Sequence, residues 1–380
     1  MKRKCKNVDI CSLSLITKAV LQCFSSPKKR KRYDTISWFA KVLSTNRAKA
    51  RTILAEKNEL FELGCARIAR EIQSMLQSPD LKLPKVATFQ RVDPGSLKLR
   101  TIARLNIRQL ALDHVAVVAM DELCRRIGPT QVSSIKGRGA HLGRKYIRRW
   151  TLTPRKSYFV KLDIKDFYGS VDRGALMRWL KKRIANRPLL QLINKLIFSS
   201  PKGLPIGSYL SQTIANIYLA DIYHYAKEQC LSSRGIHQVK HALLYMDDIL
   251  FVSNNARQLK RAVIAVVKFA KEQLGLVVKN NWTIRLLSDR YPIDMMGFRF
   301  YKGGRVTLRK RIFKYLRRSL LRVKSRFIEL HQARRLMSYK GYSDYTATKT
   351  VLKALDAVQS FRKAISSISN HDILQSHVCS

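Results

Sequence analysis

The sequence predicts an α+β fold with a basic, helical N-terminal extension, and three observations carry that prediction. Two short apolar runs, Tyr158–Gly169 (YFVKLDIKDFYG) and His241–Ser253 (HALLYMDDILFVS), have the length and the Leu, Ile, Val, Phe and Tyr content of buried strands, and both carry carboxylates. Near the C-terminus, Phe313, Leu316, Leu320, Val323, Phe327 and Leu330 step by three and four, which places them on one face of a helix. The third observation is charge. There are 74 Lys and Arg against 25 Asp and Glu, a formal net charge of +49 on 380 residues.

An excess of that size strains a compact body by self-repulsion unless a polyanion neutralises it. Nucleic acid is the matching partner, since neutralising phosphates releases counterions and dominates affinity; general surface solubilisation is the blander alternative. A hydrophobic content of 46% supports one large body or two to three subdomains. The seven cysteines are scattered and form no CxxC pair, so neither a zinc site nor a disulfide framework is indicated; they read as thiols of a reducing cytoplasm. No uninterrupted apolar run reaches the roughly 18 residues of a membrane span. Ile10–Leu21 is broken by Ser, Thr and Lys18, which suits an amphipathic helix better than a secretory signal.

Taken in order, residues 1–85 read as mixed and helical. Phe39, Val42, Leu43, Ile53, Leu54, Leu60, Phe61 and Leu63 are separated by charged residues. The run from Pro27 to Arg32 puts Lys28, Lys29 and Arg30 on a phosphate-contacting arm; a nuclear-import string or a solvated loop are the other readings. Pro79 and Pro84 mark a boundary. Ala87–Val92, the turn Asp93-Pro94-Gly95-Ser96 and Leu97–Leu105 read as a hairpin whose second strand carries Lys98, Arg100 and Arg104 on one face. Ile107–Cys124 follows as a helix, and Ser133–Gly139 as a Gly-flanked basic loop that lets backbone approach phosphate. Helices are expected over Ala175–Ile184, Ile214–Tyr223 and Ala256–Leu274, and the apolar run Leu189–Phe198 is expected to be buried. Met295–Phe300 is expected as one alternating strand that turns at Gly303-Gly304 into Arg305–Leu308. A second helical seam is expected through Val351, Leu355, Val358, Phe361 and Ile365.

The chemistry lies in the carboxylates. Asp247 and Asp248 fall between two apolar strands, where a tight turn would hold them side by side. Adjacent carboxylates repel unless a cation holds them, and Mg²⁺ prefers such hard oxygen ligands; a solvated acidic turn is the alternative. Asp163, from a separate strand, is the third carboxylate that two-metal phosphoryl transfer needs, with ions ~3.5–4 Å apart.

These residues also carry a resemblance. Tyr245-Met246-Asp247-Asp248 resembles the YxDD box of reverse transcriptases. Leu162-Asp163 through Tyr168 resembles their motif A, with an aromatic five positions after the Asp. The resemblance implies a right-hand polymerase of fingers, palm and thumb. It implies two Mg²⁺ ions, with Mn²⁺ as a substitute, held by Asp163, Asp247 and Asp248 with Ile164 alongside. It makes Tyr168 the gate that excludes a 2′-hydroxyl, and Arg100 the fingers residue over the incoming triphosphate. Lys98 is a triphosphate contact or part of a basic strand face on RNA. Ser133–Gly139 resembles the second block of bacterial reverse transcriptases, which assigns Arg138 to template or nucleotide. Leu274–Trp282 resembles motif D, with Trp282 where the family often has Lys; Lys279 is then a displaced general acid or a surface lysine. Arg317 and Arg318 flank the helical seam of an expected thumb that grips a duplex.

The loop Lys202–Gln212 (KGLPIGSYLSQ) places Ile206 and Gly207 under the nascent base pair; a plain loop before a core helix is the alternative. Its IGSYLSQ string is similar to the IGxxxSQ form of diversity-generating-retroelement enzymes, and some defence-associated bacterial reverse transcriptases look similar. It departs from the PQG form of group II intron and retron enzymes. The expected division is 1–85 as the extension, 86–300 as fingers and palm, and 301–380 as helical thumb and tail. Residues 331–380 resemble neither an RNase H domain nor a Cys/His-rich endonuclease. The implied activity is RNA-directed DNA synthesis, of low fidelity, on a dedicated noncoding RNA, in a bacterial cytoplasm. The alternatives are phage defence on the enzyme's own noncoding RNA, and an RNA-binding protein with a vestigial site. Expected partners are the RNA template, the RNA–DNA duplex and dNTPs, with an accessory protein or a second copy of the chain left open, and no membrane.

Overall fold

The protein is described from a computed structural model, which covers residues 2–84, 86–92, 99–325 and 328–377. Five helices open the chain: α1 (Leu13–Phe24), α2 (Pro27–Arg30), α3 (Tyr33–Val42), α4 (Arg47–Glu56) and α5 (Glu59–Gln77). A hairpin of β1 (Ala87–Val92) and β2 (Leu99–Arg104) leads into α6 (Ile107–Ala119), α7 (Asp121–Cys124) and α8 (Ala140–Thr151). After β3 (Tyr158–Asp163) come α9 (Phe167–Ser170), α10 (Arg173–Lys181), α11 (Arg187–Phe198) and α12 (Tyr209–His224). Next are β4 (His241–Tyr245), β5 (Asp248–Ser253), α13 (Ala256–Leu274) and the short strands β6 (Arg285–Leu286), β7 (Ile293–Met295), β8 (Phe298–Phe300) and β9 (Val306–Leu308). The helices α14 (Lys310–Ser325), α15 (Leu330–Ser343), α16 (Lys349–Ala354) and α17 (Ala357–His377) complete it. None of the described helices is long and apolar enough to cross a membrane.

The chain divides into two compact units. The first comprises Met1–Ile135, Asp163–Ala226 and Ile264–Asn280. Polar side chains set its helix starts: Asn46, Asn58, Asn106, Asp172, Asn186 and Ser208 each accept a hydrogen bond from a backbone N–H in the first turn that follows. Such caps satisfy donors that a helix end otherwise leaves unpaired. The N-terminal helices close an aromatic cluster in which Phe24 meets Phe39 edge-on and Phe39 stacks on Phe61. Helices α6 and α12 are buried along most of their length.

One acidic residue organises the far side of this unit. Asp221, on α12, accepts from the guanidinium of Arg126 at 3.2 Å, from that of Arg183 at 2.5 Å and from the indole of Trp179 at 2.8 Å. The Arg183 guanidinium also lies 3.9 Å from the Trp179 ring centroid.

The second unit comprises Lys136–Leu162, Lys227–Val263 and Asn281–Ser380. Its sheet has the order β4-β5-β3-β6, and β7-β8-β9 form a separate antiparallel sheet. Strands β4 and β5 pair from His241↔Val252 to Tyr245↔Asp248, which leaves Met246 and Asp247 as a two-residue turn. Ala242–Leu244 and Ile249–Val252 are buried, as their apolar runs require. Trp150 of α8 stacks on His241 with ring centroids 4.7 Å apart.

Three expectations about this unit need correction. Met295–Phe300 is not one strand. Met296 and Gly297 both have positive φ (53° and 87°), as a two-residue hairpin turn demands, so the run splits into β7 and β8. The seam from Phe313 to Leu330 also breaks: Leu316, Leu320 and Val323 are buried on α14, which ends at Ser325, and Leu330 opens α15. Phe327 lies outside the described residues. On α17 the buried stripe is Ala357, Ser360, Phe361 and Ala364, while Val358 and Ile365 are exposed. Asp356, with φ of 50°, separates α16 from α17 and resets the helical phase that the expected seam assumed.

Replacing Asp221 by Ala removes the carboxylate that Arg126, Arg183 and Trp179 share and leaves the part-buried Arg183 guanidinium without it. Urea unfolding should show a loss of roughly 3 kcal/mol. A loss under about 0.5 kcal/mol would mean that solvent already screens the cluster.

Candidate polymerase site

In the first unit, the segment after Asp163 is stitched alongside Val277–Lys279. Lys165 N–H donates to the Val277 carbonyl at 2.8 Å, Ile164 forms an antiparallel bridge with Val278, and Lys279 N–H donates to the Asp163 carbonyl at 2.9 Å. This ladder sets the Lys279 side chain beside Asp163, with its ammonium 2.7 Å from the carboxylate. The sequence leaves Lys279 as either a displaced general acid or a surface lysine. In the structure it is 29% exposed and serves as the counter-ion of Asp163. Ile164 itself is buried, so its side chain packs and only its backbone can face a ligand.

Tyr168 lies on the short turn α9, its ring edge-on to Phe167. Its carbonyl accepts from Leu204 N–H at 2.8 Å, and a Cβ on Gly203, whose φ is +55°, would fall 2.2 Å from that oxygen. Only glycine fits so close an approach. The next loop residues are gripped from the other side. Ala103 N–H, on β2, donates to the Ile206 carbonyl at 2.9 Å, and a Cβ on Gly207 would stand 2.9 Å from the Ala103 carbonyl. Backbone hydrogen bonds thus tie Tyr168, the Ile206–Gly207 loop and β2 together, while Asp163 is bonded to the segment 277–279. Arg100 is exposed on β2, opposite Arg91 in the hairpin register. Lys98 and the turn 93–96 lie outside the described residues.

In the second unit, Asp247 occupies the β4–β5 turn and Asp248 opens β5, both half-buried. The pair is therefore divided, with one residue in the turn and one in strand register opposite Tyr245. Met246, just before them, has φ of 53°, a conformation that L-residues with side chains rarely adopt. Arg138 stands between Gly137 and Gly139, both with positive φ and with open space where a Cβ would be. Arg317 and Arg318 are exposed on α14, away from its buried seam.

The basic run in the N-terminal extension, expected as a phosphate-contacting arm, is folded. Pro27–Arg30 forms a helical turn, because Pro suits the first helical position. The Lys29 ammonium lies 2.7 Å from the His114 ring, and Arg30 donates to the carbonyls of Phe24 and Ser25. Lys28 remains exposed. Composition marked this run as positive, but nothing in it told which charges point inward.

Aspartate oxygens are the hard donors that a divalent cation takes. Yet among the described residues no three His, Cys, Asp or Glu side chains gather as a ligand set. At Asp163 the neutralising charge comes from Lys279. The donor chemistry of these carboxylates suits a divalent cation.

The family model described as "Reverse transcriptase (RNA-dependent DNA polymerase)" matches residues 92–300, more than half of the chain, so the chain belongs to that family. Its fold is the α+β right-hand polymerase, and its activity is RNA-directed DNA polymerisation, a nucleotidyl transfer that copies an RNA template. Among solved structures, it is similar to an apo telomerase from Candida tropicalis truncated from its C-terminal domain. That match has 12% identity, 71% of this chain and 73% of the other covered, and a TM-score of 0.45. It is also similar to telomerase from Candida albicans in complex with a TWJ fragment of telomeric RNA, at 13% identity, 78% and 60% coverage and a TM-score of 0.40. No curated protein matches it in sequence.

Lys279→Met keeps the aliphatic stem and removes the charge. Because the ion pair is part-exposed, urea unfolding should register a change below about 1 kcal/mol. A larger loss would make the pair a clamp on the fold rather than a local counter-ion.

Proposed function

We propose that this reverse transcriptase uses Asp163, Asp247 and Asp248 as its catalytic carboxylates. The observation that carries the reading is topological. Asp163 ends β3, Asp248 opens β5, and β3 and β5 are neighbours in one sheet. Bound to these oxygens, two Mg²⁺ ions, or Mn²⁺ in their place, would activate a primer 3′-hydroxyl and steady the leaving oxygen. The chain's own residues do the positioning. Tyr168, on the turn tied to Gly203 and Leu204, bounds the sugar and excludes a 2′-hydroxyl. Ile206 and Gly207, gripped by β2, form the floor under the nascent pair, and Arg100 neutralises triphosphate. Lys98, Arg138, Lys28, Arg317 and Arg318 contact RNA or the RNA–DNA duplex. In Asp247→Asn the shape persists and the charge is lost, so primer extension on RNA should fall by at least about 100-fold with RNA affinity nearly unchanged. Extension near the wild-type rate would refute the assignment.

We place the enzyme with the bacterial, diversity-generating-retroelement type, copying a dedicated noncoding RNA at low fidelity. The IGSYLSQ string supports this, as does the apolar side chain that Ile206 offers where the PQG form has Gln. Discrimination built on apolar contact is weaker than that built on polar contact. Ile206→Gln should therefore lower single-nucleotide misincorporation on a defined RNA template, by roughly threefold or more. If wild type already copies as accurately as a PQG enzyme, the defence reading on the enzyme's own noncoding RNA gains instead.

A further inference from the structure

Asp113 sits in the middle of α6, only 1% exposed, and forms no ion pair shorter than 4.0 Å among the described residues. One of its oxygens accepts from Ser208 Oγ at 2.7 Å and from Tyr209 N–H at 3.0 Å, with Leu210 N–H at 3.5 Å. Ser208 Oγ in turn accepts from Ser211 N–H at 3.0 Å, so donor and acceptor functions of this hydroxyl are both used. A carboxylate on one helix thus caps the start of another, and the residue it holds is the last of the Gly203–Ser208 loop. The other end of that loop is tied to the Tyr168 carbonyl, and its middle to Ala103 of β2.

The surroundings of Asp113 come from three other helices as well as its own. His114, 5% exposed, stacks on the Tyr209 ring at 4.2 Å. The Lys29 ammonium of α2 lies 2.7 Å from His114 Nε2, 3.8 Å from Cys23 Sγ of α1 and 5.8 Å from the Tyr209 ring centroid. For fold stability alone a neutral acceptor would serve better, since an ionised carboxylate in this setting carries a desolvation cost. What the charge adds is strength and direction in the hydrogen bonds to Ser208 and Tyr209.

We propose that Asp113, acting through Ser208 and held in its place by the Lys29–His114–Tyr209 stack, is a positioning residue that fixes Ile206 and Gly207 for the incoming nucleotide. The N-terminal extension is then part of the nucleotide pocket's support rather than only a surface for RNA. The proposal rests on the reading of Ile206–Gly207 as the floor of the nascent pair. Burial lifts the Asp113 carboxyl to about 6, and burial together with Lys29 drops His114 to about 3. With its folded value above the unfolded one, Asp113 costs stability above pH ~6, and the cost disappears as pH falls toward its ordinary value near 4. His114 has the opposite sign: its folded value is depressed, so stability is lost as pH falls below about 6.5.

The test compares wild type, Asp113→Asn and Ser208→Ala by hydrogen exchange, thermal unfolding and primer extension. Both variants should lose protection at Ala103, whose N–H is bonded to Ile206, and across 203–210, with the rest of the chain unchanged. The dNTP KM should rise about tenfold, while Tm at pH 7.5 in Asp113→Asn is unchanged or higher. The fall of wild-type kcat/KM as pH drops through ~6 should be shallower in Asp113→Asn. Unchanged protection at Ala103 and 203–210 overturns the proposal, whatever the kinetics. Lost protection with an unchanged dNTP KM shows that the loop is held but is not the nucleotide floor, and the functional reading of the loop fails instead.

Discussion

Positive charge is the constraint on which the arrangement of acidic groups depends. With Lys and Arg outnumbering Asp and Glu by 74 to 25, each half-buried carboxylate becomes a scarce point of attraction. Asp221 draws in two arginines and a tryptophan; Asp34 takes Arg32 and caps the start of α6 through Ile107 N–H; Glu71 takes Arg108 and the Trp38 indole. Asp294 is shared by Arg299 and Arg309. These hubs tie elements of the fold together, while exposed cations such as Lys28, Arg317 and Arg318 face outward, where phosphate can neutralise them. Asp163 obeys the same rule, and its cation comes from Lys279. Asp113 departs from it: it is buried with hydrogen-bond donors in place of an ion pair.

Much of the fold was legible because apolar spacing fixes an element's face regardless of its neighbours. The apolar runs over 158–163 and 241–253 became β3, β4 and β5, and the expected helix over Ala256–Leu274 is α13 to the residue. What failed was phase across a break. Asp356 and Met296 adopt left-handed backbone without being glycine, so nothing in a hydrophobic pattern announces that the register restarts there. The site was legible in part and for a different reason. Chemistry and spacing pointed to Asp163, Tyr168 and the Gly203–Ser208 loop as the proposed site, but the residues that the structure packs against them are long-range. That Lys279 meets Asp163 depends on a backbone ladder between segments far apart in the chain. That Lys29 turns inward depends on His114, which carried no signal of its own.

Strained backbone recurs beside the carboxylates, and its cost has identifiable compensation. Asp166, with φ of 44°, turns the chain three residues after Asp163 and directs it into α9. Its carboxylate lies against Gly169, 2.4 Å from where a Cβ there would stand. Met246 is held at φ of 53° by the flanking ladder from His241↔Val252 to Tyr245↔Asp248, whose residues 242–244 and 249–252 are buried. A left-handed conformation costs an L-residue about 1–2 kcal/mol, which several buried apolar residues in a regular hairpin readily offset. The same rigidity that makes the strain affordable sets Asp247 and Asp248 at fixed backbone positions. A flexible glycine-rich turn would relieve the strain and leave two mutually repelling carboxylates free to separate. Orientation of charge before the substrate arrives is the part of nucleotidyl transfer that a protein backbone can supply, and under the proposed assignment a short hairpin whose strands are almost wholly apolar would supply it.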